Sequence, residues 1–141
     1  MSVTQISIFL ENKMGQLAEV TQWMAEKQVN LRAVSIADSQ DFGILRIIAE
    51  HPERLLAVLN EKGYTAIATE VLAVAMADQP GGMAKVLAVL SEHGVDVEYT
   101  YAFLSRKVQE ATMIFRVNNN ETAKAALTAE GIQVVSQKDL F

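Results

Sequence analysis

Hydrophobic and polar residues follow two different spacings in the first half of the chain. Apolar residues take every second position over 6–10, which predicts a strand, and then recur at helical spacing over 17–27. Two runs rich in β-branched residues, 31–36 and 44–49, predict further strands with a turn at 38–43 between them. The chain therefore opens with the order strand, helix, strand, strand.

The rest of the first half supplies one more helix and one more strand. Pro52 suits the start of a helix, Gly63 suits a left-handed cap at its end, and residues 65–69 predict a closing strand. The second half repeats this order. Strands are predicted at 72–76, 95–104, 113–117 and 132–135, and helices at 83–90 and in a segment that runs through 126 and 127. A βαββαβ unit forms a four-stranded antiparallel sheet with both helices on one face. The expected fold is therefore α+β, with two tandem ferredoxin-like units.

The two halves also share residues at a constant distance along the chain. Residues 11–34 and 77–100 align without a gap at an offset of 66. The identical pairs are Gly15 and Gly81, Ala18 and Ala84, Val20 and Val86, Glu26 and Glu92, and Val29 and Val95. Farther along, the offset becomes 68, so the second copy has two extra residues near 105–109. We infer two domains, 1–70 and 71–141, with no Pro-, Gly- or Ser-rich linker between them.

Composition and charge exclude several classes of function. The 141 residues include 17 acidic and 12 basic side chains, two histidines and no cysteine. Without cysteine there are no disulfides, thiolate nucleophiles or cysteine zinc sites, and two histidines are too few for a histidine metal centre. A formal charge of −5 with scattered basic residues argues against nucleic-acid binding. We expect no metal and no cofactor.

No segment of the chain predicts a membrane span or an export signal. No uncharged stretch approaches the roughly 20 residues of a spanning helix. The first residues lack the basic start and apolar run of a signal peptide. The sequence therefore predicts a cytoplasmic protein that does not bind membranes.

No arrangement of residues typical of catalysis is present. His51 and His93 fall at the predicted ends of a strand and a helix, so both suit turn or helix-end roles better than ligand roles. The run 81–85 lacks the spacing of a phosphate-binding loop. We expect a protein that is not an enzyme, with a small ferredoxin-like enzyme as the alternative.

The turn before the first helix of each copy carries the best candidate chemistry. A helix N-terminus favours an anion such as a carboxylate, and glycine at 15 and 81 lets a ligand approach the backbone. Asn12 can both donate and accept hydrogen bonds, and Asp78 can accept from an ammonium group. Both residues are also ordinary helix N-cap types, so these turns alone do not decide between ligand binding and capping.

These turns and the strands that follow them resemble the ACT domain, a small regulatory module that senses amino acids. The resemblance lies in residues 11–17 with 28–31, and in the D-x-P-G turn of 78–83 with the G-V-D strand start of 94–97. It covers essentially the whole chain as two tandem units in the expected register.

Family resemblance implies where an effector would bind. In the ACT family, effectors usually sit between paired units, held by the first-strand turn of one and the second-strand start of its neighbour. By similarity to the regulatory domain of phosphoglycerate dehydrogenase, the asparagines that hold serine fall on Asn12 and Asn30. Leu10 stands where some members have histidine, and Met14 replaces the common proline. The implied binding residues are Asn12, Lys13, Met14, Gly15, Gln16, Leu17, Asn30, Asp78, Pro80, Gly81, Gly82, Met83 and Asp96.

If the two units of one chain pair, the resemblance implies two unequal sites. One site combines Asn12 with Asp96, and the other combines Asp78 with Asn30. Each then holds one amide and one carboxylate, which suits a ligand's ammonium group while the helix N-terminus takes its carboxylate. Side-chain preference would be set by Met14, Gln16 and Leu17 in one site, and by Gly82 and Met83 in the other.

The function that the resemblance implies is allosteric regulation. The chain is expected to bind free amino acids at ACT–ACT interfaces as a homodimer and to pass the signal to a partner, such as a regulated enzyme. A structural oligomerisation module without ligand is the alternative. Strands 44–49 and 71–76 are apolar on both faces, which favours a covered helix-free face, although small alanines also tolerate exposure. The extra residues near 105–107 form a partner-contact loop or reflect drift in loop length.

Overall fold

The computed structural model describes residues 2–38 and 41–141. Its elements are β1 (Val3–Glu11), α1 (Gln16–Glu26), β2 (Ala33–Asp38), β3 (Phe42–Ile48), α2 (Pro52–Lys62), β4 (Thr65–Ala77), α3 (Gly82–Glu92), β5 (Val97–Phe103), β6 (Glu110–Val117), α4 (Asn120–Ala129), β7 (Gln133–Val135) and a short 3₁₀ helix (Lys138–Leu140). The order of helices and strands agrees with the prediction. The turn predicted at 38–43 includes Ser39 and Gln40, which lie outside the described residues. None of the described helices is long and apolar enough to cross a membrane.

The first compact unit comprises Thr4–Thr69. Strands β1 and β2 both pair antiparallel with β3, and β1 also pairs with β4. Gly43 of β3 pairs with Leu10 of β1 and with Asp38 of β2, so these three residues mark one end of the sheet. Helices α1 and α2 pack on one face. The buried core residues are Ile6, Ile8, Leu10, Val20, Met24, Leu45, Ile47, Ala49, Leu55, Leu59 and Ala66.

An aromatic pair borders this core. The rings of Trp23 in α1 and Tyr64 after α2 have centroids 5.8 Å apart and planes inclined by 53°. Burial, and then the carboxylate of Glu19, raise the pKa of Tyr64 above its ordinary value. A phenol of ordinary pKa, about 10, is already neutral at physiological pH, and the raised pKa extends that neutral range to higher pH.

The second compact unit comprises Glu70–Phe141 and the chain's first residues up to Val3. Its antiparallel strands lie in the order β5-β6-β4-β7. Helices α3 and α4 cover one face. The buried core residues are Leu72, Val74, Val86, Val89, Leu90, Val95, Phe115, Val117, Ala123, Ala126, Leu127 and Ile132. Each unit is thus an antiparallel sheet with two helices, which confirms the predicted α+β, ferredoxin-like class.

Strand β4 runs without a break from Thr65 to Ala77, whereas the sequence predicts two strands separated at Glu70. Glu70 is polar and exposed, but 65–77 contains neither proline nor glycine, so no residue type interrupts the extended backbone. Residues 71–75 are all buried, although successive side chains point to opposite faces. The predicted burial of both faces is therefore confirmed for this run.

Helices α1 and α3 end in the same way but with different residues. Gln28 and Gly94 occupy equivalent positions just beyond the helices, and their φ angles are 59° and 68°. In both copies the next residue, Val29 or Val95, donates its N–H back to a carbonyl of the helix. A left-handed φ is unfavourable for a residue with a Cβ atom. The first copy therefore carries strain at a position where the second copy has glycine.

Relief of this strain is expected to stabilise the protein. Gln28→Gly should raise the free energy of unfolding by about 0.5 to 1 kcal/mol, because the gain at a left-handed φ exceeds the entropic cost of glycine. Gly94→Ala should lower it by about 1 kcal/mol. Urea denaturation measures both changes, with Gln28→Ala as the control that keeps the strain. A Gln28→Gly variant less stable than the parent would contradict this account.

Candidate ligand sites at the strand–helix turns

The turns β1–α1 and β4–α3 have the same backbone hydrogen bonds. In the first copy four backbone N–H groups donate to carbonyl oxygens: Asn12 to Asp41 at 3.0 Å, Lys13 to Glu11 at 3.0 Å, Gln16 to Lys13 at 3.3 Å, and Glu19 to Gly15 at 2.9 Å. In the second copy the equivalent bonds run from Asp78 to Gln109 at 3.0 Å, from Gln79 to Ala77 at 3.0 Å, from Gly82 to Gln79 at 3.1 Å, and from Lys85 to Gly81 at 3.0 Å. The donors differ by 66 positions, whereas Asp41 and Gln109 differ by 68. The two extra residues thus precede Gln109, as predicted.

Glycines, not Asn12 or Asp78, are the N-caps of the two helices. Gly15 precedes α1 with a φ of 84°, and Gly81 precedes α3 with a φ of 88°. Neither helix receives a hydrogen bond from a cap side chain. The capping role that the sequence left open for Asn12 and Asp78 is therefore wrong, because both residues lie three positions before the cap.

A small cavity of about 120 Å³ lies beside the first turn. It is lined by Leu10, Glu11, Asn12, Lys13, Gln16, Leu17, Ile36, Asp38, Gly43 and Leu45. Four of the predicted binding residues are thus brought together, namely Asn12, Lys13, Gln16 and Leu17. Gly15 does not line the cavity, and Met14 is fully exposed. Lys13 Nζ lies 3.2 Å from Glu11 Oε2, so this cation is already paired.

A larger cavity of about 540 Å³ lies beside the second turn. Its lining residues are Ala75, Met76, Ala77, Gln79, Pro80, Gly81, Gly82, Lys85, Val86, Gln109, Glu110, Gly131, Ile132 and Gln133. Its volume falls in the range of small-molecule sites, roughly 300–1,000 Å³. Pro80, Gly81 and Gly82 were predicted to bind ligand, whereas Asp78 and Met83 do not line this cavity.

Two residues on the far walls of this cavity carry no signal in the local sequence. Glu110 pairs with Ala77 across β6 and β4, and Gln133 pairs with Ala75 across β7 and β4. Sheet pairing therefore brings both residues to the end of β4, where the turn begins. Only the strand register, which a local motif does not encode, could have identified them.

Charge differs sharply between the two helix N-termini. Helices α1, α2 and α4 each have an acidic residue in the first turn, and α3 has none. Lys85 of α3 stands at the position that Glu19 occupies in α1. A cation near a helix N-terminus opposes the helix dipole, whereas an anion is stabilised there. The start of α3, with Lys85 on the cavity wall, is therefore the end that favours an anionic group.

A carboxylate lies on another wall of the same cavity. Glu110 is about one third exposed, and its Oε1 is 3.8 Å from the ammonium of Lys107. The cavity thus combines a cation, Lys85, with a carboxylate, and Met76, Val86 and Ile132 add apolar surface. Among the described residues, no group of three or more His, Cys, Asp or Glu could hold a metal ion.

Asn30 and Asp96 lie away from these turns within their own units. Asp96 directly precedes β5, and Asn30 lies three positions before β2. Close to Asn30, the Arg32 N–H donates to the Ile48 carbonyl oxygen, at the end of β3 opposite Gly43. Asp96 exchanges hydrogen bonds with Asn118, whose Oδ1 accepts from the Asp96 N–H at 2.9 Å. The pairings of Asn12 with Asp96 and of Asp78 with Asn30 stay a prediction.

Both histidines lie at helix ends. His51 is the N-cap of α2, and His93 is the C-cap of α3. The Nδ1 atom of His93 is 2.9 Å from the Val89 carbonyl oxygen. These positions agree with the predicted helix-end roles.

The comparison with protein families decides the identity of this fold. A family model described as ACT domain pair matches residues 1–141. The chain belongs to the ACT domain pair family. The repeated turns and the paired α+β units described above are the two ACT units of this family.

Solved structures of similar fold support this assignment. The crystal structure of protein BT0572 from Bacteroides thetaiotaomicron is 36% identical, with a TM-score of 0.92, and the match covers 99% of this chain and 96% of that one. The ligand-free regulatory subunit of aspartate kinase from Thermus thermophilus is 20% identical, with a TM-score of 0.67 and coverage of 91% and 90%. The corresponding subunit from Thermus flavus is 20% identical, with a TM-score of 0.59 and coverage of 89% and 88%. No curated protein sequence matches this ACT domain pair.

Glycine at position 82 is required by the close approach of the backbone. A Cβ atom there would collide with the carbonyl oxygen of Ala77, whereas the equivalent residue of the first turn is Gln16. Gly82→Ala should lower the free energy of unfolding by about 1 to 3 kcal/mol, the usual cost of forcing atoms into a packed site. Gly43→Ala is the control, because an added Cβ meets nothing within 4 Å. Equal stability of the two variants in urea would refute the predicted collision.

Proposed function

We propose that this ACT domain pair is a regulatory protein that binds a free amino acid and passes the signal to a partner protein. Membership of the ACT domain pair family supports a regulatory role. The solved proteins of this fold include regulatory subunits of aspartate kinase, which supports the same class of function. The ligand class is argued from the cavity beside the second turn.

One observation carries the proposal: the cavity beside α3 holds opposite charges on separate walls. The ligand's α-carboxylate binds at the start of α3, where Lys85 and the uncapped helix N-terminus favour an anion. The ligand's ammonium group binds Glu110. A zwitterion engages both walls at once, whereas a simple anion engages only the start of α3 and a simple cation engages only Glu110, where the Lys107 ammonium already lies 3.8 Å away.

The remaining lining residues suit the side chain of an amino acid. Met76, Val86 and Ile132 provide apolar contact, and the amides of Gln79 and Gln133 provide hydrogen-bond donors and acceptors. Pro80, Gly81 and Gly82 bring backbone close to the ligand without side chains in the way. The second turn is therefore proposed as the principal effector site.

The first turn is proposed as a weaker site of the same kind. Its cavity is several times smaller, and Gln16 occupies the position of Gly82. Lys13 is paired with Glu11, and Glu19 supplies the acidic group that α3 lacks. These differences support two sites of unequal affinity. Asn30 and Asp96 belong to the proposed site only where a neighbouring ACT unit presents them.

A screen of the twenty amino acids by thermal shift tests ligand binding directly. An amino acid at about 100 times its dissociation constant stabilises the protein by about 2.7 kcal/mol, which raises the melting temperature by several degrees. A shift with one amino acid or a few related ones is expected. A flat panel would contradict the proposal and favour a purely structural oligomerisation module.

Removal of the cation beside the second turn should weaken binding selectively. Lys85→Ala is expected to raise the dissociation constant about 10- to 100-fold, because a charge-assisted hydrogen bond contributes about 1.5 to 3 kcal/mol. Calorimetric titration with the amino acid found in the screen measures the change. Glu19→Ala, at the equivalent position of the first copy, is the matched control and should leave the tighter site unchanged. Equal weakening by both substitutions would exclude the second turn as the principal site.

Unequal sites should also be separable by a change in the first turn. Asn12→Ala should affect only the weaker binding event, because Asn12 lines the smaller cavity. The same titration, continued to high ligand concentration, resolves the two events. Two sites of equal affinity that weaken together would rule out this division.

A further inference from the structure

The first repeat exposes an apolar surface with an acidic rim. Met14 is fully exposed, and Leu17 and Ile36 are 40% and 51% exposed. Leu17 and Ile36 line one cavity with Glu11 and Asp38, so the apolar and acidic groups are adjacent. Asp41 adjoins this turn through its backbone, since its carbonyl oxygen accepts the Asn12 N–H at 3.0 Å, and the residue is exposed. We name Met14, Leu17 and Ile36, with the carboxylates of Asp38 and Asp41, the acidic patch; Glu11 beside it is paired with Lys13 at 3.2 Å.

The equivalent positions of the second repeat do not form such a surface. Pro80, Met83 and Ala102 replace Met14, Leu17 and Ile36 there, and Met83 is half-buried. The acidic patch is therefore a property of the first repeat alone. A general requirement of the ACT fold does not explain it, because the other copy folds without it.

The loop between β5 and β6 has the opposite character. Leu104 and Val108 are 65% and 89% exposed, and Arg106 and Lys107 lie between them. This is the segment that contains the two extra residues of the second repeat. We name residues 104–108 the basic loop.

The basic loop is held at its base by hydrogen bonds. The Lys107 N–H donates to Ser105 Oγ at 3.2 Å, and the carbonyl oxygen of the adjoining Gln109 accepts from the Asp78 N–H at 3.0 Å. The Lys107 ammonium is 3.8 Å from Glu110 Oε1. A loop constrained in this way presents its side chains in a defined geometry, which lowers the entropy lost on association.

We propose that the basic loop of one molecule docks on the acidic patch of a second copy of the same chain. Leu104 and Val108 cover the apolar residues of the patch, while Arg106 and Lys107 face its carboxylates. The occupant is a second copy because the two surfaces are complementary in both charge and hydropathy. The net charge of −5 adds a reason, since the basic loop contains the one pair of adjacent basic residues in an acidic sequence. The proposed assembly is a two-fold dimer, in which each copy contributes one loop and one patch.

Reversal of charge on either surface tests this contact. Arg106→Glu with Lys107→Glu, and separately Asp38→Lys with Asp41→Lys, should each weaken the dimer at least 10-fold, as measured by sedimentation velocity over a range of concentrations. Arg54→Glu with Lys62→Glu, two exposed positions of α2, is the matched control and should leave the dimer unchanged. Thermal unfolding of each variant shows whether the chain still folds.

A mixture of the two reversed variants gives the decisive result. In a mixed dimer the reversed loop meets the reversed patch, and the native loop meets the native patch, so both contacts are complementary again. An equimolar mixture should therefore dimerise about as well as the parent, although neither variant does so alone. A parent that is monomeric at about 100 μM, variants that dimerise like the parent, or a mixture that stays monomeric would each overturn the proposal. The amino-acid screen uses the parent chain, so its result does not depend on these variants. Ligand titration is kept apart from them, because the acidic patch borders the smaller cavity and Lys107 is paired with Glu110 of the larger one.

Discussion

The strand–helix turn with a left-handed glycine as the helix N-cap is the backbone constraint on which the rest of the molecule depends. Gly15 and Gly81 adopt a φ that a side chain would disfavour, and the same backbone hydrogen bonds close both turns. This geometry places the N-terminus of α1 or α3, which no side chain caps, beside the end of the preceding strand. Both cavities and the predicted ligand chemistry follow from that placement, because neither turn blocks its helix N-terminus with a cap side chain.

Two repeats with one backbone have diverged through a few side chains. The first helical turn carries Glu19 in the first repeat and Lys85 in the second, so its charge is reversed. Gln16 of the first repeat is replaced by Gly82 in the second, and the adjacent cavity is about 120 Å³ in the first and about 540 Å³ in the second. The loop before β6 adds a further difference, and Gln109 at its base also lines the larger cavity. A duplicated fold thereby offers two unlike surfaces without any change in the order of its elements.

Sequence periodicity is sufficient to predict the helices and strands, but it does not predict the contacts between segments that are distant along the chain. The fold class follows from spacings within a dozen residues, and Gly63 and Pro52 take their predicted places at the ends of α2. The predicted strand boundary at Glu70 is wrong, because residues 65–77 contain no proline or glycine that would interrupt extended structure. No local pattern marks Glu110 or Ile132 as a cavity wall, since each reaches the second turn through sheet pairing or packing across more than 25 residues. Local patterns carry no information about such distances.

The single tryptophan has a consequence for how communication within the molecule can be observed. Trp23 packs on Tyr64 in the unit Thr4–Thr69, whereas Lys85 and Glu110 belong to the other unit. Selective excitation of indole therefore reports on one half of the chain only. An emission change on binding of an amino acid at Lys85 would therefore be recorded by an indole of the other unit, and the sequence supplies this reporter without any label.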